Sequence, residues 1–171
     1  MPRIALDLNT AAGRAAIKAQ WRVADGYIPG QPNQGLVAEV LMTPAREKDF
    51  DDSGWEVCDN VRAGRSVGLC FAWYRIVAEV PAEIDGQSVA GARILFETNV
   101  DNYAEVWVNG GFNRATGAMN GLDYSHRVEV AAEAKPGDRH TIAVLAVNGP
   151  LAEPRGGVFL RYAHLAFETR G

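Results

Sequence analysis

Cysteine and histidine are scarce in this chain, with two of the first and three of the second among 171 residues. Cys58 and Cys70 form no Cys-x-x-Cys pair and have no neighbouring histidine, so their spacing offers no zinc site. Whether the two are bonded to each other stays open. His126, His140 and His164 lie too far apart for ligand spacing, so no catalytic metal and no cofactor is expected. An excess of positive charge is also lacking. The formal net charge is −4, and no basic run is interleaved with aromatics, which argues against nucleic acid as a partner. No apolar stretch is long enough to span a membrane, and the start, Met1 to Asn9, lacks the apolar run of a secretory leader. A cytoplasmic location is the default expectation. Neither a Gly-x-Ser-x-Gly elbow nor a Ser-His-Asp order is present.

What the chain does have is alternation. In Leu69 to Val80, Tyr74, Ile76, Ala78 and Val80 share one face, and Trp73, Arg75, Val77 and Glu79 share the other. In Tyr103 to Val108, Ala104, Val106 and Val108 oppose Tyr103, Glu105 and Trp107. A period of two is the mark of a half-buried strand. Asn109-Gly110 ends the second run with a turn signal. Further strands are read at 36–42, 55–58, 92–98, 127–130, 141–148 and 158–167, separated by Asp85-Gly86, Pro136-Gly137 and Gly149-Pro150. One short helix is expected over 9–18, with Asn9 or Thr10 as its N-cap. This is the pattern of an all-β jelly-roll sandwich of about eight or nine strands with one short N-terminal helix. It reads as a single domain, 1–171, in which 1–44 is an extension packed on the sandwich. Tyr74, Ile76, Val106, Val108, Ile142, Val144 and Phe159 are the expected core.

A resemblance rests on motifs that occur in order. They are Asp51-Asp52-Ser53-Gly54-Trp55, Trp73-Tyr74-Arg75, Val106-Trp107-Val108-Asn109-Gly110, Pro136-Gly137 ahead of Ile142-Ala143-Val144 and Asn148, and Gly156-Gly157-Val158-Phe159. Together, over roughly residues 45–168, they resemble the sugar-binding jelly-roll domain of family 2 glycoside hydrolases, a galactose-binding-like fold. Lys18 to Arg22, Phe96-Glu97-Thr98, Asp101 to Val108, Val147 to Leu151 and Arg161-Tyr162-Ala163 resemble, more closely, the accessory domain of gluconolactonase-like (SMP-30-type) proteins. The resemblance implies the fold and carbohydrate as ligand class. It carries over no catalytic residue, because in the families those residues lie in a barrel or propeller outside the stretch these motifs match. It also raises a structural calcium, for which Asp49, Asp51 and Asp52 supply carboxylates.

The expected function is binding of a carbohydrate or sugar acid by a sandwich without an evident catalytic set. The alternative is a small free-standing lyase, isomerase or hydrolase acting on a polyhydroxylated or lactone-like substrate. The candidate binding residues are Arg75, Trp107, Asn109, Arg114 and Tyr124, supported by Trp73 and Glu105. Aromatic faces stack on the C–H side of a sugar ring, amides bridge vicinal hydroxyls, and guanidinium suits a carboxylate. At the same positions, packing under a loop and an Arg75–Glu105 pair is the alternative reading. For an enzyme, His126 with Asp123 as its orienter would be the acid–base candidate. A homodimer or a partner enzyme is the other expected partner, since outward Trp and Tyr would also suit an interface.

Overall fold

The computed structural model describes residues 2–25, 44–65, 70–100, 103–120, 125–148 and 156–169. The expected strand at 36–42 lies outside them, as do Asp123 and Tyr124. Two antiparallel sheets face each other. Sheet I has four strands in the order β1 (Arg3–Asp7), β13 (Leu160–Glu168), β7 (Arg93–Val100), β11 (His126–Ala131). Sheet II runs β10 (Ala118–Asn120), β8 (Tyr103–Val108), β12 (Arg139–Asn148), β4 (Cys70–Glu79), β2 (Arg22–Asp25), β3 (Glu56–Val57), with β9 (Gly111–Phe112) also paired to β8. A small hairpin, β5 (Glu83–Ile84) with β6 (Gln87–Ser88), turns at Asp85-Gly86. The all-β sandwich is therefore as the alternation predicts.

The N-terminal residues do more than pack on the sandwich. β1 pairs along β13, and β2 sits between β4 and β3, so 3–25 contributes a strand to each sheet. Both strands are too short to show a convincing period, and their partners are remote in sequence. The helix α1 (Ala11–Ala16) lies between them, and Thr10 Oγ1 accepts the Gly13 N–H as N-cap. Trp21 then fills the space between sheets, tilted against Phe96 at 6.2 Å, and its indole N–H donates to the Leu8 carbonyl. No described helix is long and apolar enough to cross a membrane.

Tyr74, Ile76, Val106, Ile142 and Val144 are fully buried in the core between the sheets. Val108 is partly buried against it. Phe159 is not part of it. Val158 and Leu160 point inward instead, and Phe159 turns out, where the Arg161 guanidinium covers its ring. The expected phase failed by one residue, and in a strand one residue exchanges the faces. Cys58 and Cys70 are both buried and form no disulfide with each other, and burial raises the pKa of each.

Sheet II is buried on its outer face as well. The segment 44–55, opening with a 3₁₀ turn at Pro44–Arg46, crosses it, and Ala45 and Trp55 pack on Phe71, Trp73, Ala143 and Leu145. Tyr103, Glu105 and Trp107 lie on this same outer face.

Candidate functional site

The β8–β12–β4 pairing places the outward side chains in rows. Trp107 lies across from Ala143, and Ala143 from Arg75. Glu105 lies across from Leu145, and Leu145 from Trp73. Ala143 leaves room for the segment 44–52 to descend onto the sheet, and Arg75 holds it there. The Arg75 Nε donates to Asp52 Oδ2 at 2.9 Å, Nη1 to the carbonyls of Ala45 and Glu47, and Nη2 to the carbonyl of Phe50. The guanidinium also lies over the Phe50 ring, 5.3 Å from its centroid. Arg75 is 1% exposed, so its donors are spent on the protein. Its ion partner is Asp52, and Glu105 is engaged elsewhere. Trp73 is buried beneath the same segment, and its indole nitrogen has no hydrogen-bond partner among the described residues.

Glu105 is bound on both oxygens by its neighbours on β8. The Tyr103 hydroxyl donates to Oε1 at 2.7 Å and the Trp107 Nε1 to Oε2 at 3.2 Å. Burial, with Glu105 second, pushes the Tyr103 phenol up to about 12, so it remains a donor at neutral pH. Trp107 packs beside Phe112 at 4.8 Å, and the Arg46 guanidinium lies over its ring at 5.1 Å. All three side chains are half-buried. The result is a strip of two aromatics and one carboxylate, held in place before any ligand arrives.

The strip ends at Asn109. Asn109 and Gly110 both have positive φ, +50° and +78°, which makes the two-residue turn joining β8 to β9. The Asn109 side chain does more than permit the turn. Its Oδ1 accepts the Thr141 N–H at 2.9 Å, and its Nδ2 lies 3.1 Å from His140 Nδ1. Beside it opens a cavity of about 620 Å³ lined by Lys48, Asp49, Asp138, Arg139, His140 and Thr141. The histidine spacing rule passed over His140, because pairing with an amide on another strand leaves no sequence pattern.

Other candidates fall elsewhere. Arg114 is exposed in the turn between β9 and β10, away from Arg75's strand. His126 starts β11 in sheet I, opposite Thr98, and burial lowers its pKa. The acidic turn is engaged internally, with Asp52 on Arg75 and Asp51 accepting the Ser53 N–H. Among the described residues, no group of three or more His, Cys, Asp or Glu side chains is placed to hold a metal ion.

The fold recurs inside family 2 glycoside hydrolases. A β-glucuronidase of Bacteroides uniformis matches 97% of this chain with a TM-score of 0.64 and 16% identity, over 18% of its own length. A family 2 glycosyl hydrolase of Bacteroides cellulosilyticus gives 0.64 and 15%, covering 95% of this chain and 20% of that one. A putative β-galactosidase of Bacteroides fragilis gives 0.58 and 20%, covering 98% and 23%. No protein-family model and no curated protein sequence matches the chain. At these identities the likeness is one of fold, and the chain spans about a fifth of the enzymes it matches. It concerns the jelly roll and gives the gluconolactonase association no support.

Proposed function

We propose that the protein binds carbohydrate or a sugar acid, through the outward face of β8, without chemistry of its own. The observation that supports this is the half-buried Tyr103–Glu105–Trp107 strip, locked by its own hydrogen bonds. Trp107 supplies an apolar ring edge beside Phe112 and Arg46, and a carboxylate with one donor on each oxygen still has lone pairs for ligand hydroxyls. Because the three side chains already hold one arrangement, little side-chain entropy is lost when a ligand docks. The fold shared with stretches of glycoside hydrolases fits this reading. So does a partnership with a larger enzyme, where a module of this kind would hold the substrate near the chemistry.

Arg75 has no role in this reading beyond bracing the segment that lies against Trp107. The sugar-acid option loses its main support with Arg75, because that guanidinium faces Asp52 and carbonyls. The test is calorimetry with a panel of neutral sugars, sugar acids and lactones on the wild type, Trp107→Ala and Glu105→Gln. A panel compound should bind, and Trp107→Ala should weaken it about tenfold or more, the equivalent of one aromatic contact. If a ligand is found and both variants bind it as well as the wild type, the strip is not the site. If a compound is turned over, the protein is an enzyme and the module reading fails.

A further inference from the structure

At the far end of β8 from Tyr103, roughly 20 Å away for six residues of strand, two charges of each sign come together. Lys48 and Asp49 come from the segment over sheet II, and Asp138 and Arg139 from the turn entering β12. These four surround one cavity, and among the described residues none of them forms an ion pair. Other described charges are paired: Glu97 lies between Arg3 and Arg127, Arg65 between Asp25 and Glu56, and Lys18 faces Glu79.

Two charges of each sign cancel, so the cavity draws neither anions nor cations from a distance. Close up, the carboxylates only accept hydrogen bonds, and the ammonium and guanidinium groups only donate. A partner that serves both must donate and accept, and a hydroxyl does both from one small group. Asn109 and His140 add a fixed element. The Thr141 N–H holds Asn109 Oδ1, so Nδ2 is the atom that faces His140 Nδ1. The imidazole therefore accepts at Nδ1, is neutral, and carries its proton on Nε2. Burial keeps His140 below the ordinary histidine pKa, with Asp138 opposing and Lys48 assisting. Neutral histidine keeps the cavity's charge balanced at pH 7.

We propose that this cavity binds an uncharged polyhydroxylated ligand, with Lys48, Arg139 and Asn109 as donors and Asp49 and Asp138 as acceptors. It takes its ligand class from the carbohydrate-binding reading, but its place is independent of Trp107. It also narrows that reading, since a balanced cavity gives a sugar carboxylate no advantage.

The test is heteronuclear NMR on the whole chain, titrated with glucose, myo-inositol and glucuronate, on the wild type, Asp49→Asn and Arg139→Gln. The neutral polyols should shift the Asn109 side-chain amide and the His140 ring signals. Each variant should need about tenfold more ligand, since each loses a hydrogen bond to a charged group. Shifts confined to the Trp107 indole and its neighbours would overturn this site and leave the strip standing. Glucuronate binding more tightly than glucose at Asn109 would overturn the ligand class, and unchanged affinity in both variants would overturn the residue assignment. Silence at Asn109, His140 and Trp107 with all three compounds would overturn this proposal and count against the broader reading as well.

Discussion

At the centre of sheet II, Arg75 gives its guanidinium to Asp52 and to three main-chain carbonyls. At the end of the same face, Lys48, Asp49, Asp138 and Arg139 stand around a cavity with no ion pair to one another or to any other described residue. The two regions are a few residues apart along β12 and β4 and share the segment 44–52. In the first, charge is saturated and dry, so its work is internal. In the second the side chains are exposed and have no ion partner among the described residues. An arginine beside tryptophans looks like a binding residue in either setting. What separates the two is how many of its donors are already in use.

The sharpest way to break this contrast is to remove Arg75. Arg75→Ala strands the Asp52 carboxylate and frees carbonyls that the segment 44–52 has buried. Losing one partner of a buried pair typically costs about 3–5 kcal/mol. Urea denaturation should show a loss of that order, and Arg75→Lys should restore little of it, because one ammonium cannot reproduce the forked donors. A loss below about 1 kcal/mol, the level of a surface ion pair, would mean that Arg75 is not a clamp and would return it to the list of ligand-binding candidates.

Much of the sandwich was legible because its long strands are regular. β4, β8 and β12 keep a strict period, and their inner residues Tyr74, Val106 and Val144 are buried as the alternation requires. The phase was lost at Phe159, where a short bridge at Val158 precedes β13 and turns the larger side chain outward. β1 and β2 were missed because their identity as strands comes from partners over a hundred and about fifty residues away. For the site, Trp107, Glu105 and Asn109 were legible as outward residues of one strand. The role of Arg75 was not, since the carbonyls it binds come from a loop whose path no periodicity records. His140 and the cavity charges were illegible for the same reason: three separate segments meet there.

A gentler probe uses pH. The folded pKa of His140 lies below its ordinary value near 6.5, chiefly through burial. Above that value the side chain is neutral in both states, and its contribution to stability is complete. As pH falls below it, the unfolded chain takes up a proton that the folded chain excludes, so stability declines until the folded pKa is passed. His126 shifts in the same direction, so the wild type alone would not isolate the effect. Denaturation of the wild type and His140→Gln at pH 7.5 and pH 5 does. The wild type should lose more stability than the variant over that interval. An equal loss would mean that His140 is not held neutral, and would remove the fixed donor pattern from the cavity.

The smallest effect on stability is expected where the charges form no ion pair among the described residues. Asp49→Asn and Asp138→Asn keep the shape of the side chain, Lys48→Gln and Arg139→Gln shorten it but leave it polar, and none of the four breaks an ion pair among the described residues. Surface changes of this kind usually stay within about 0.5 kcal/mol of the wild type. Thermal or urea unfolding of the four variants should therefore be nearly superimposable, in contrast to Arg75→Ala on the same face. The prediction is informative because it separates two meanings of an unpaired charge. If Arg139→Gln destabilised the protein by 2 kcal/mol or more, well outside the usual surface range, Arg139 would be a structural residue like Arg75, and its weakened ligand binding would report damage to the fold. If stability holds while the Asn109 and His140 signals lose their response to polyols, the charge at the sheet's end serves the ligand, and the charge at its centre serves the protein.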